Sequence, residues 1–235
     1  MRVRRIVTTR AGGRSRPPYE SFNLGDHVGD DPDVVAANRK RLATELGLPA
    51  DHVIWMEQVH GRTATVVDAP RTEPVEVTDA VIATRPGLAV AVLVADCVPI
   101  LLADADAGVV AAVHAGRVGA RVGVVPAALD AMRAAGARID RTEVLIGPAV
   151  CGECYEVPAA MQADVAAHLP GSAARSRKGT PALDLRAGIW QQLADAGVAR
   201  IGLDPRCTVE DRNLFSHRRD GTTGRIAAIT WLAPE

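Results

Sequence analysis

Short apolar runs crowd the middle of the chain. Residues 88–95, 98–103 and 109–114 are rich in Val, Leu, Ile and Ala and read as β-strands, because they are of strand length and bounded by turn residues. Residues 53–67 alternate poorly but are β-rich, which predicts two short strands around a turn at Gly61. Residues 226–232 read as a last strand. Helical stretches lie between these. Asp31 reads as an N-cap with Pro32 at the first helical position, and the helix runs to about Leu46 and stops at Gly47. Residues 127–135 are helical in composition, with Pro126 marking a start or a kink. Residues 158–169 and 184–196 predict two more helices, the second capped by Asp184 and stopped by Gly197. Residues 11–19, rich in Gly, Arg, Ser and Pro, predict a loop.

Strands and helices are interspersed without a repeat or a clear linker. This predicts a mixed α and β fold in one domain over residues 1–235. The tryptophans Trp190 and Trp231 read as core. At 235 residues and 48% hydrophobic content, the chain can bury a sizeable core. Its formal net charge of −1 gives no electrostatic case for nucleic acid or an anionic membrane as partner. No apolar run is long enough to span a bilayer. The basic stretch Met1–Arg5 is not followed by an apolar segment of signal-peptide length, and four cysteines in a chain this long do not make a disulfide framework. Both points lead to the expectation of a reducing cytoplasm.

Three segments carry the candidate chemistry: Gln58-Val59-His60-Gly61, Ala95-Asp96-Cys97-Val98-Pro99 and Val113-His114-Ala115-Gly116. If Asp104-Ala105-Asp106-Ala107 is the turn of a hairpin, Ala103 faces Gly108. Carried back, that register makes Cys97 and His114 cross-strand partners on one face, with Cβ atoms about 4.5–5.5 Å apart. Such a pair can share one zinc ion, given Zn–S of about 2.3 Å and Zn–N of about 2.0–2.1 Å. A one-residue slip would separate them onto opposite faces. His60, beside Gly61, is the third candidate ligand. Three N and S ligands with one position open is the pattern of a catalytic zinc site.

Spacing alone also allows a buried core cysteine with two hydrogen-bonded histidines. It equally allows a cysteine hydrolase with Cys97 as nucleophile and His114 or His60 as base. Asp96 on a strand would point to the opposite face from Cys97, which makes it a poor direct member of a triad. Cys151-Gly152-Glu153-Cys154 has redox or half-zinc spacing. No second such pair exists, so a four-cysteine site is excluded and a structural or incidental role is favoured. Gly116, Gly119 and Gly123 read as tight packing before a helix, or as amides facing an anion. Arg218-Arg219-Asp220-Gly221 reads as an exposed turn or a phosphate site.

With these residues in hand, the chain resembles the YfiH-like family, historically called the multicopper polyphenol oxidase or laccase-domain family, which includes the peptidoglycan editing factor. The resemblance runs nearly end to end, through Thr8-Thr9-Arg10-Ala11-Gly12-Gly13, Asn23-Leu24-Gly25, Asn38-Arg39, the three segments above, Thr78-Asp79-Ala80, Cys154-Tyr155-Glu156-Val157, Cys207-Thr208, Phe215-Ser216-His217-Arg218 and Thr223-Gly224-Arg225. It implies an α+β fold, a single layered domain with mixed β-sheets flanked by helices. It also implies a zinc site at His60, Cys97 and His114, and phosphorolysis of adenosine, inosine and methylthioadenosine with adenosine deamination beside it. Phosphate would need arginine donors, for which Arg10, Arg39 and Arg218 are the candidates. The family commonly continues His-Ala-Gly with Trp-Arg-Gly, whereas this chain has Arg117-Val118-Gly119. An arginine needed at that point is therefore missing or supplied by Arg117.

Two other readings remain: an amidase that edits a peptidoglycan precursor, and a non-catalytic metal-binding protein. Copper polyphenol oxidation fits badly, because a multicopper site needs a histidine-rich cluster. The chain has six histidines and no His-x-His pair.

Overall fold

The computed structural model describes residues 1–233, so the last two residues of the expected domain lie outside it. In chain order the elements are β1 (Arg2–Val7), α1 (Pro32–Leu46), β2 (Val53–Ile54), β3 (Ala64–Val67), β4 (Ala80–Ala83), β5 (Ala89–Val94), β6 (Val98–Asp104), β7 (Val109–Ala115), α2 (Arg117–Val122), α3 (Val124–Ala134), β8 (Glu143–Ile146), α4 (Ala159–His168), β9 (Ala173–Arg175), β10 (Pro181–Leu183), α5 (Leu185–Asp195), β11 (Arg200–Leu203), α6 (His217–Asp220) and β12 (Ile226–Ala233).

Two mixed sheets dominate. One has the order β1-β12-β5-β2, the other β11-β8-β6-β7-β4-β3, and β9 and β10 form a small ribbon. The sheets lie face to face around an apolar layer that includes Val90, Val92, Leu101, Val110, Ala112 and Ala228. The outer face of the six-stranded sheet, through Ile82, Ile100, Leu102, Ala111 and Val113, packs on Leu129 and Met132 of α3 and Ile189 of α5. The outer face of the four-stranded sheet, through Ala91, Leu93 and Ile229, packs on Leu42 and Ala43 of α1. The result is four layers: helix, sheet, sheet, helix. Both central sheets are covered on both faces, which is why β5, β6 and β7 are continuous apolar runs rather than alternating ones.

Helix α1 forms where its caps predict. Asp31 is extended and its side chain accepts from Asp33 N, while Gly47 closes the helix at φ 71°. Pro126 lies in the first turn of α3, which starts at Val124, three residues before the expected helix, directly after the break from α2 at Gly123. The proline is the third residue of α3, where an amide has no intrahelical acceptor in any case. The two strands expected within 53–67 exist, but they are not partners: β2 pairs with β5 and β3 with β4. Trp231 is buried as expected, whereas Trp190 is 45% exposed on α5.

The β6–β7 register corrects the expected one by two residues. Ala103 pairs with Val110 and Pro99 with His114. The turn is residues 105–108, not 104–107. Asp104 Oδ1 accepts from the amides of Asp106 and Ala107 at 3.1 Å, and Gly108 takes φ 74° to finish the reversal. Because the shift is even, every side chain keeps its face, and His114 stays on the side of Val110 and Ala112, toward the other sheet. Cys97 lies one residue before β6 rather than within it.

Candidate metal centre

Consecutive strands β5 and β6 belong to different sheets, and Ala95-Asp96-Cys97 is where the chain crosses between them. Asp96 makes the crossing at φ 93°, a conformation that needs outside support in a non-glycine residue. Its carboxylate accepts from Thr208 Oγ1 and from the Arg218 amide, each at 2.6 Å, and its carbonyl accepts from Val150 N. Asp96 therefore fixes the crossing and presents Cys97, and it is not a partner of either histidine.

His60 is set by a second carboxylate. Asp79, fully buried just before β4, accepts from the amides of His60 (3.0 Å), Gly61 (2.7 Å) and Val59 (3.3 Å). Three successive N–H groups wrap one carboxylate, and His60 takes φ 59° to allow it. Gln58 ties the same loop to β5 by exchanging two 2.8 Å hydrogen bonds with the Leu93 backbone. Asp79 Oδ1 also lies 2.8 Å from His114 Nδ1. With Nδ1–H donated there, Nε2 of His114 is left to face the cavity. This is the carboxylate–histidine arrangement that orients metal ligands.

His60, Cys97 and His114 thereby converge. One ligand atom from each lies within 4.8 Å of the other two, and Cys97 Sγ is 3.8 Å from His60 Nε2. A tetrahedral zinc with these bond lengths needs donor atoms about 3.6 Å apart, so small rotamer adjustments suffice. Gly116 supplies the room. A Cβ there would stand 2.7 Å from His60 Cδ2 and 3.0 Å from Cys97 Sγ, so a side chain would intrude on the ligands. Two nitrogens, one thiol and a cleared fourth side fit a zinc-like ion held by protein on three positions.

The electrostatics point the same way. Burial opposes charge on Cys97, but the His114 imidazolium beside it, with help from His60, lowers its thiol from 9.0 to about 6. Burial likewise disfavours charge on His114, but the Cys97 thiolate and the Asp79 hydrogen bond raise it to about 9. For Asp79, burial is outweighed by the His114 proton and the Gly61 amide, and its carboxyl is held below the usual range.

Without metal, then, Cys97 and His114 form an ion pair between about pH 6 and pH 9. The lowered thiol contributes stability at high pH that is lost as pH falls through about 6. The raised imidazole contributes stability at low pH that is lost as pH rises through about 9. In metal-free protein, iodoacetamide modification of Cys97 should therefore be half-maximal near pH 6, and in His114→Ala at a clearly higher pH, because the imidazolium that opposes the effect of burial is gone. Identical profiles for the two proteins would contradict the ion pair.

Two cavities meet at Cys97. One, of 320 Å³, is lined by Gln58, His60, His114, Arg225 and His217, within the roughly 300–1,000 Å³ of small-molecule sites. The other, of 180 Å³, is lined by Asp96, Arg117, Tyr155, His217 and Arg218. Of the three arginines singled out from sequence, only Arg218 borders them. Its guanidinium lies 4.9 Å from the Tyr155 ring and donates to the Glu156 carbonyl. Arg10 is instead held by Glu20 and stacked on Phe215. Arg39 pairs with Asp26 and stacks on Trp55, beside a different cavity. Arg117 is the basic residue that spacing undervalued. It opens α2 directly after Gly116 and lines the Cys97 cavity, while Val118 is exposed on the helix surface. Asp79 was visible in sequence only as part of a quoted motif, because nothing local shows that it reaches His60 and His114.

Comparison with known proteins matches these features to a family. The profile described as multi-copper polyphenol oxidoreductase laccase covers residues 4–233. A Corynebacterium glutamicum protein named purine nucleoside phosphorylase is 58% identical over 235 residues, spanning 99% of this chain and 96% of its own. A Mycobacterium tuberculosis protein of the same name is 57% identical over 232 residues, spanning 99% of this chain and 93% of its own. Among solved structures, YlmD from Geobacillus stearothermophilus superposes with a TM-score of 0.93 at 34% identity, over 99% of this chain and 92% of its own. The YfiH protein of Bacillus licheniformis gives 0.91 at 31%, over 98% and 92%.

Proposed function

The chain belongs to the family described as multi-copper polyphenol oxidoreductase laccase, and from that premise we propose that it is a cytoplasmic, zinc-dependent purine nucleoside phosphorylase acting on adenosine, inosine and methylthioadenosine, with adenosine deamination as a side activity. The observation that carries this reading is the convergence of His60, Cys97 and His114 on one point between two cavities. The names of the relatives at 57% and 58% identity support the reaction class. Copper oxidation is disfavoured: the candidate ligand groups among the described residues are one of two histidines and a cysteine, and one of three cysteines and a glutamate, neither of them histidine-rich.

A bound zinc would supply Lewis acidity, polarising a substrate atom or activating water. The protein's own residues do the rest. Asp79 keeps the His114 proton on Nδ1. Asp96 and Thr208 hold the crossing that presents Cys97. Arg117 and Arg218 line the smaller cavity, where their guanidinium groups would hold phosphate against the ribose through charge-assisted hydrogen bonds. The larger cavity takes the nucleoside.

Incubation with inosine and phosphate should release hypoxanthine and ribose 1-phosphate, and no base release from metal-loaded protein would contradict the reading. Arg218→Ala should lower kcat/KM for phosphate by about 10–100-fold, the equivalent of a charged hydrogen bond worth about 1.5–3 kcal/mol. An unchanged phosphate dependence would remove Arg218 from this role.

One observation favours a second reading. The lowered Cys97 thiol beside a raised His114 is also the arrangement of a cysteine nucleophile. That would suit the peptidoglycan-precursor amidase. Muropeptide composition of a deletion strain separates the two, since only the amidase predicts a changed amino acid in the stem peptide.

A further inference from the structure

Away from His60 and His114, the fold brings together the chain's other three cysteines. Cys151, Cys154 and Cys207 are free thiols. They and Glu210 each offer a ligand atom within 4.8 Å of the others. Sequence spacing shows half of this cluster, the Cys151–Cys154 pair. The other half comes from 53 residues later in the chain (154 to 207).

Two turns build it. In the first, the Cys151 carbonyl accepts from the amides of Cys154 and Tyr155, each at 3.0 Å; in the second, the Cys207 carbonyl accepts from Glu210 at 3.1 Å and Asp211 at 2.8 Å. A parallel bridge between Ala149 and Cys207 holds the turns side by side. Across the gap, the Cys151 amide donates to Cys207 Sγ at 3.4 Å, and Cys154 Sγ lies 3.5 Å from Glu210 Oε1. An amide aimed at a cysteine sulfur is the kind of outer contact that supports a metal-bound thiolate.

We propose that Cys151, Cys154, Cys207 and Glu210 form a second site for a thiophilic divalent cation, zinc, which holds two loops of the catalytic cavity together. Three sulfurs and one oxygen fill a tetrahedral shell, so this site is closed where the first is open. Zinc would need sulfur atoms about 3.8 Å apart, a contraction of 1 Å or less for the widest pair. Three thiolates and a carboxylate carry a charge of −4, and zinc leaves −2. Arg177 pairs with both Glu210 and Glu153, so together Arg177 and Glu153 leave the balance unchanged while bracing the oxygen ligand from outside.

The loops so joined are those that shape the catalytic cavity. The first carries Val150 and Tyr155 into its wall. The second carries Thr208, which grips Asp96 and accepts from Arg219. A cation at the cluster therefore stabilises the crossing that presents Cys97 without touching substrate. This inference goes beyond the phosphorylase reading and stands apart from its success.

The test is metal content of the full-length protein purified under reducing conditions. Cys151→Ser/Cys207→Ser should contain one equivalent of zinc less than wild type, and Cys97→Ser should keep that equivalent. In wild type, a chelator should speed alkylation of Cys151, Cys154 and Cys207, and added zinc should restore protection. This arm needs no variant and decides the matter if the double variant does not fold. Equal zinc in wild type and the double variant, alkylation at one rate with and without zinc, or a disulfide between any two of these cysteines would overturn the proposal. Loss of zinc only in Cys97→Ser would overturn it while leaving the catalytic site intact.

Discussion

Asp79→Asn is expected to weaken zinc binding by about 10–100-fold and to destabilise the fold by about 3–5 kcal/mol. Four donors point at this one carboxylate: the amides of Val59, His60 and Gly61 and the Nδ1–H of His114. An asparagine matches the shape but replaces one oxygen by an NH₂ group, setting donor against donor in a position with no access to water. His60, held at φ 59° while its backbone N–H donates to Asp79, loses its anchor, and His114 loses the partner that fixes its tautomer. Two ligands are disturbed through a residue that touches no substrate. Denaturant unfolding and zinc competition with a chelator measure the two effects. Wild-type zinc affinity in the variant would show that Asp79 is only a structural anion.

Gly116→Ala should act on the site more than on the fold. Gly116 has φ −72°, so alanine meets no backbone penalty. Its methyl carbon would lie 2.7 Å from His60 Cδ2 and 3.0 Å from Cys97 Sγ. The exposed His60 ring is the part free to yield, and when it swings out the ion keeps two protein ligands. Zinc affinity should fall by more than about 100-fold, beyond what loss of an outer partner causes. Phosphorolysis should fall with it, while metal-free stability should fall by no more than the about 1–3 kcal/mol of an overpacked methyl. Retention of both zinc and turnover would mean that the ion does not sit over Gly116.

These two residues show what the sequence could and could not convey. The caps of α1 were legible because Asp31, Pro32 and Gly47 act on their own helix. The runs that became β5, β6 and β7 were legible from apolar content, and the face of His114 survived a turn misplaced by one residue at each end, because an even register shift preserves faces; Cys97, outside β6, is instead brought to it by the crossing at Asp96. What stayed hidden depended on distant partners. β4 and β8 are four residues each, too short to show a period. β1 carries three arginines, which mask a strand at the edge of its sheet. That β5 and β6 part company at Asp96 has no local signal, since adjacent apolar runs ordinarily predict one hairpin. Arg10 and Arg39 looked available for phosphate until the fold supplied Glu20, Asp26 and the aromatic rings that occupy them.

The central claim is that His60, Cys97 and His114 share an ion on which phosphorolysis depends. Its most direct test follows phosphate-dependent release of hypoxanthine from inosine while zinc is returned to metal-free wild type and to metal-free Cys97→Ser. Wild type should start inactive and recover, whereas Cys97→Ser should stay inactive at every zinc concentration. Full turnover by metal-free wild type, or recovery of Cys97→Ser alongside it, would show that phosphorolysis does not depend on an ion at these three residues.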